Sequence, residues 1–325
     1  MKKIFKNKTI KFIVKAAVSL GFVAYVIFKV NWKDVLDGIL SVSWWQAILY
    51  IFVLLVGMLI SSYKWKMLAE YQGFKFSLFD YFKFYLSGTF INNFMPSFVG
   101  GDAYKAYQIG KDSGRFTEAT STLFVDRITG LVGAMILALI FSILNIMDVL
   151  KSSTLIVVNI LIILSFFSDV VIAWMKKTEF WRGLFKKFLP EKIIHLIKEI
   201  SSYSQNKKLL KKTVLLAMFY DLVGIALVNY VLFWSLGIHI NVIDYLSVIF
   251  LTTIVASIPI TVNNIGIKEW SYIAFFGAVG IASSPVITVA ILSRILQMIV
   301  SFLALPMYLK NSYTAKISKT IQEKI

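Results

Sequence analysis

The chain has 325 residues, of which 58% are hydrophobic, with no cysteine and a formal net charge of +17. Such a composition excludes a soluble globule, and runs as long as the about 20 apolar residues that cross a bilayer point to an all-α, polytopic integral membrane protein. Lack of cysteine excludes disulfides, thiolate catalysis and Cys-ligated metal, and there is no basic soluble domain of the kind that binds nucleic acid.

The first apolar run, Lys11–Phe28, lacks a secretory cleavage pattern and is expected to stay as a first span. A short connector, Lys29–Ser43, follows it, and Trp44–Ser62 crosses back with Trp44 and Trp45 at the interface, where indoles favour the headgroup level. After a basic loop, Lys64–Lys75, the run Leu78–Met95 breaks at Pro96, and Ala103–Gly110 leads to Lys111 and Arg115. That pattern reads as a re-entrant helical hairpin. Thr117–Leu144 and Ser153–Trp174 span next, joined by a short turn and followed by a large basic loop, 176–212. Thr213–Trp234 spans, Val242–Ile258 breaks at Pro259, Trp270–Ile281 returns, and Val286–Met307 closes the set.

The expectation is therefore one transmembrane domain over 1–325, with six full spans and two re-entrant hairpins. Basic blocks at Lys2–Lys8, Lys64–Lys75, Lys105–Arg115, 176–212 and Lys310–Lys324 alternate with nearly neutral connectors. This is the positive-inside pattern, and it places both termini on the cytoplasmic side of the cell membrane. On that topology the units 44–144 and 213–307 are inverted repeats, an architecture of secondary transporters.

Two acid–arginine pairs mark the candidate site. Asp102 precedes Arg127 by as many residues as Glu269 precedes Arg294, and each acid closes a Pro- and Gly-broken segment. Each arginine lies nine residues into its span, roughly 13 Å deep. A hydrocarbon core of about 30 Å puts both near the midplane, approached from opposite faces. A central Arg is costly, so an acid partner is expected for a structural or a transport role alike. At the breaks, Gly100, Gly101, Asn264 and Gly266 could turn backbone N–H groups toward an anion such as phosphate. The plainer alternative is tight turns, with Asp102 and Asn264 as caps.

Asp126 beside Arg127 either orients the site or bonds Thr122. Asp169 and Asp221, inside spans, either shuttle protons, pair with the arginines, or make interface contacts. His195 and His239 are too scattered for a metal site. The loop 176–212 carries eleven Lys/Arg against three Glu, interleaved with Phe180, Leu184, Phe185, Phe188 and Leu189. An interfacial helix on anionic lipid is the expected reading. No Walker loop, kinase, dinucleotide or HExxH motif occurs, so no cofactor or metal is expected.

The sequence resembles the lysylphosphatidylglycerol synthase transmembrane family, also called the flippase-like or UPF0104 domain. The resemblance runs from the first span to the last. It rests on Lys64-Trp65-Lys66-Met67-Leu68, Met95-Pro96 with Gly100-Gly101-Asp102, Asp126-Arg127, Ile258-Pro259 with Asn264-Ile265-Gly266-Ile267-Lys268-Glu269, and Arg294. Lys105 and Lys268 stand where many members have arginine; lysine keeps the charge but not the bidentate fork. The resemblance implies a lipid flippase acting on a phospholipid or lipid-linked headgroup, such as lysyl-phosphatidylglycerol. Larger members carry a soluble synthase domain that moves lysine from lysyl-tRNA to phosphatidylglycerol and supports resistance to cationic peptides. This chain, ending at Ile325, resembles the flippase half alone, with a separate lipid-modifying enzyme as an implied partner. Phosphatidylglycerol lysyltransferase activity, or partnership with a polyprenyl-linked glycosyltransferase, are the alternatives.

Overall fold

The computed structural model describes residues 8–94, 99–177, 191–258 and 260–306, and among these there are helices and no strands. Thus the Pro96 and Pro259 positions, the aromatic stretch of the basic loop and the terminal lysines other than Lys8 lie outside the described residues. Thirteen helices are described: α1 (Lys8–Lys29), α2 (Trp32–Ser41), α3 (Trp44–Tyr71), α4 (Leu78–Phe94), α5 (Val99–Gly110), α6 (Phe116–Leu144) and α7 (Ile146–Lys151). After them come α8 (Ser153–Lys177), α9 (Glu191–Ser202), α10 (Lys207–Ser235), α11 (Val242–Ser257), α12 (Ile267–Ala278) and α13 (Ser283–Ser301).

Four helical stretches are long and apolar enough to cross a membrane: Trp44–Tyr71, Phe116–Leu144, Lys207–Ser235 and Ser283–Ala304. Helices α1 and α8, of 22 and 25 residues, carry shorter apolar stretches, Ala16–Lys29 and Ser153–Ser165. The chain is an all-α polytopic membrane protein. Its flanks show what lipid requires, with Phe28, Phe52, Ile143, Leu161 and Phe219 exposed. In water such apolar area would be an aggregation surface.

Local chemistry explains the boundaries. Ser43 caps α3 in a capping box, its N–H donating to Gln46 Oε1 at 2.9 Å. Asn206 and Asn241 cap α10 and α11 by accepting from Leu209 N and Ile243 N. The stretch 29–43 is more than a connector, because Asn31 caps the helix α2. The expected loop Lys64–Lys75 is also corrected: α3 runs on to Tyr71, and Lys64 and Trp65 are buried in it.

Basic connections gather at one end of the bundle. There Tyr71 Oη donates to Ser202 O, Tyr203 Oη to Leu68 O, and Arg115 Nη2 to Gln72 O. The weakly charged connections meet at the other end, where Asn31 N donates to Ser284 Oγ and Asn145 Nδ2 to Ser247 Oγ.

The two halves pack alike. In the first, α5 lies on α6 and α3 on α6; in the second, α12 lies on α13 and α10 on α13. The leading hairpin helix of each half also packs on the other half's arginine-bearing helix, α11 on α6 and α4 on α13. The return helices α5 and α12 have 12 residues each. Such a helix rises about 18 Å, well short of a hydrocarbon core of about 30 Å.

Helices α3 and α10 cross at Gly57 and Gly224. A Cβ on Gly57 would lie 2.5 Å from Gly224 Cα. Gly57 precedes Asp102 by as many residues as Gly224 precedes Glu269, so matching positions of the two halves meet at the crossing. Gly57→Ala should therefore destabilise the protein by about 1–3 kcal/mol through overpacking. The check is the heat-induced aggregation temperature in detergent, against Gly21→Ala, whose added Cβ meets nothing within 4 Å.

Candidate functional site

The first half of the site is built on the α4–α5 hairpin. Its arms approach so closely that a Cβ on Gly101 would sit 2.2 Å from Gly88 O. Gly100 stands beside it, half-buried, in the first turn of α5. The Gly101 N–H donates to Asn92 Oδ1 at 2.7 Å, so it is already engaged by a side chain of α4. Asp102 follows in the first turn of α5, where a carboxylate is favoured by the helix N-terminus. One of its oxygens meets Arg127 Nε and the other lies 2.7 Å from Lys105 Nζ. Lys105 sits one helical turn on, with its ammonium over the rings of Tyr85 (4.8 Å) and Trp65 (5.6 Å).

Behind this cluster lies a second ion pair. Lys64 Nζ is 3.1 Å from Asp126 Oδ1 and donates to Asp126 O at 2.9 Å. The Lys64 side chain is 3% exposed. Thr122 does not bond Asp126, because its hydroxyl donates to Ala119 O at 2.7 Å and accepts from Trp65 Nε1 at 2.9 Å. Helix α3 thus holds α6 at Asp126 and at Thr122.

The second half mirrors this with different atoms. Gly266 has φ +89, and a Cβ there would lie 2.5 Å from Phe22 Cβ of α1. Only glycine fits that backbone and that approach. The Gly266 N–H donates to Glu269 Oε2 at 2.7 Å, while Glu269 Oε1 takes Arg294 Nη2 at 2.8 Å. Asn264, also at positive φ, donates through Nδ2 to Ala256 O and so ties the break to α11. Val262 N donates to Ser19 Oγ, fastening the break to the middle of α1. Lys268 faces Ser293 Oγ at 2.9 Å and lies over the Tyr272 ring. Once more α3 reaches the residue before the arginine, with Tyr50 Oη donating to Ser293 O at 3.2 Å.

In both halves the acid is the buried partner. The side chains of Asp102 and Glu269 are 17% and 12% exposed, those of Arg127 and Arg294 51% and 36%.

Residues 12–304 match the family described as the lysylphosphatidylglycerol synthase TM region. The chain belongs to that family. It is also 26% identical over 275 residues to a UPF0104 membrane protein of Pyrococcus horikoshii, covering 77% of this chain and 82% of that protein. Every candidate site residue lies inside the matched region of the lysylphosphatidylglycerol synthase TM family.

Within that family region, the structure brings Asp102, Lys105 and Arg127 together, and likewise Gly266, Glu269 and Arg294. It joins Asp126 to Lys64 and leaves Lys268 facing a serine hydroxyl rather than the neighbouring acid. Asp221 is not set against an arginine, since the cation acting on it is Lys64. Asp169 falls in α8, but its side chain is outside the described residues. Asn92 and Lys64 are site residues that sequence reasoning missed. Their signals are a pair of asparagines ending the apolar run before Pro96, and a lysine followed by Trp65, Met67 and Leu68.

Proposed function

We propose that the protein carries a phospholipid or lipid-linked headgroup across the cell membrane, with lysyl-phosphatidylglycerol as one candidate cargo. The observation that carries this reading is the duplicated acid–arginine pair, each with its acid in the first turn of a 12-residue helix. Irregular backbone at membrane depth is tolerated only against protein or a wet cavity. Discontinuous helices whose N-termini face the cargo are a recurring transporter device. With both termini cytoplasmic, the two hairpins enter from opposite faces and the halves form inverted repeats.

The hydrogen bonds suggest the exchange. Glu269 holds both the Gly266 N–H and Arg294, and Asp102 holds Arg127 and Lys105. A lipid phosphate would replace the carboxylate at the arginine and at the helix N-terminus, a favourable anion position. The displaced acid would then be available to a cationic headgroup such as a lysyl ester. A net positive cargo moving outward against an inside-negative potential costs about 2.3 kcal/mol per charge per 100 mV. The basic connections would rest on anionic lipid, and a separate lipid-modifying enzyme would supply or consume the cargo.

Headgroup-labelled lipid translocation in proteoliposomes tests this. Asp102→Asn and Glu269→Gln should each slow translocation by at least about tenfold, the equivalent of 1.4 kcal/mol. Rates equal to wild type in both would sink the proposed site. The family's description favours a second reading, lysyl transfer to phosphatidylglycerol. Product formed by this chain alone from lysyl-tRNA in liposomes would establish that reading instead.

A further inference from the structure

Asp221 plays no part in the lipid contacts above, yet it is a buried acid with no ion pair among the described residues. It is 3% exposed, and its Oδ2 has no hydrogen-bond partner among the described residues. It opens a π-helical segment, Asp221–Leu227, inside α10, and π turns are frequent at functional sites. The groups facing this segment come from four other helices. Lys64 of α3 is the charge that acts on Asp221, and Asp126 of α6 pairs with Lys64. Tyr85 of α4, whose ring lies under Lys105, interacts electrostatically with Tyr220 of α10 itself. From α11, Tyr245 Oη donates to Ala226 O at 2.6 Å.

Lys64 pairs with Asp126, whose chain neighbour Arg127 pairs with Asp102, and Asp102 pairs with Lys105, whose ammonium lies over Tyr85; Lys64 is also the cation whose charge reaches Asp221. Three carboxylates face three cations. Lys64, however, lies against Asp126 at 3.1 Å, so Asp221 is left without an ion-pair partner. A buried carboxylate without a partner is far more stable as the neutral acid. A shift of Lys64 from Asp126 to Asp221 would reverse the preference, and the carboxylate beside Arg127 would lose its partner.

We propose that Asp221 is a proton-binding site, and that its proton is the coupling ion that Lys64 and Asp126 link to the Asp102–Arg127 pair. The coupling half of this rests on the lipid-carrier reading; the proton site does not. In the step, one proton from water adds to the Asp221 carboxylate while Lys64 stays on Asp126. Its return to water leaves the carboxylate to draw Lys64 away and loosens the Arg127 side of the site.

Infrared difference spectroscopy of the full protein in lipid, titrated with pH, reads the protonated carboxyl directly. Wild type should show a protonated carboxyl band that is absent in Asp221→Asn. Freeing Lys64 by Asp126→Asn should remove the band at lower pH, and Lys64→Gln should keep it to more alkaline pH. In proteoliposomes an imposed pH gradient should speed lipid translocation by wild type but not by Asp221→Asn. A band unchanged in Asp221→Asn overturns the proton site. An Asp221→Asn protein that responds to the gradient like wild type overturns the coupling. An Asp221-dependent band in a wild type that moves no lipid supports the proton site and overturns the lipid reading instead.

Discussion

Lys64→Met should lower the stability of the protein by about 3–5 kcal/mol, the usual cost of removing one partner from a buried ion pair. The Asp126 carboxylate would stay 11% exposed, without its cation and facing the empty place of an ammonium. Lys66→Met is the control, since Lys66 pairs with Glu70 at 3.6 Å with 24% and 47% exposure. Surface pairs of that kind contribute about 0–1 kcal/mol. Heat-induced aggregation in detergent should thus separate two lysines that lie two positions apart on one helix. Replacing both partners, Lys64→Met with Asp126→Leu, should recover most of the lost stability, because a well-packed apolar pair is often as stable as a buried ionic one. Equal effects of Lys64→Met and Lys66→Met would contradict the buried pair.

That lysine also shows where sequence reading stops. The helices and both acid–arginine pairs were legible, because long apolar runs, interrupting Pro and Gly, and charges inside spans are local signals. The break geometry was partly legible: Gly266 does take a positive φ. At Gly101 and Gly266 the expected free N–H groups are taken, by Asn92 and Glu269. A lysine at the end of an apolar run is normally the edge of a span, and only its partner, 62 residues away, makes Lys64 a buried group. The different fates of Lys105 and Lys268 follow from register. Lys105 lies one turn after its acid and reaches back to it, whereas Lys268 precedes its acid by one residue and points about 100° away. The π segment at Asp221 had no local signal, since it lies in the continuous apolar helix that crosses α3 at Gly57 and Gly224.

The second large effect concerns the arginines. Arg127 and Arg294 hold the two buried acids, and the packing of α11 on α6 and of α4 on α13 joins their helices into one body. If one cargo passes both guanidiniums in a single cycle, the two act in series, and loss of either stops the whole. Effects of residues that act as a unit are strongly non-additive. Asp102 keeps Lys105 and Glu269 keeps the Gly266 N–H, so each Arg→Gln variant retains a partner for its acid. The deciding measurement is headgroup-labelled lipid translocation in proteoliposomes, at matched reconstitution, for wild type, Arg127→Gln, Arg294→Gln and the double variant. Each single variant should lose at least about tenfold in rate, with the double no slower than the worse single. A double variant that moves lipid at the wild-type rate would contradict the account.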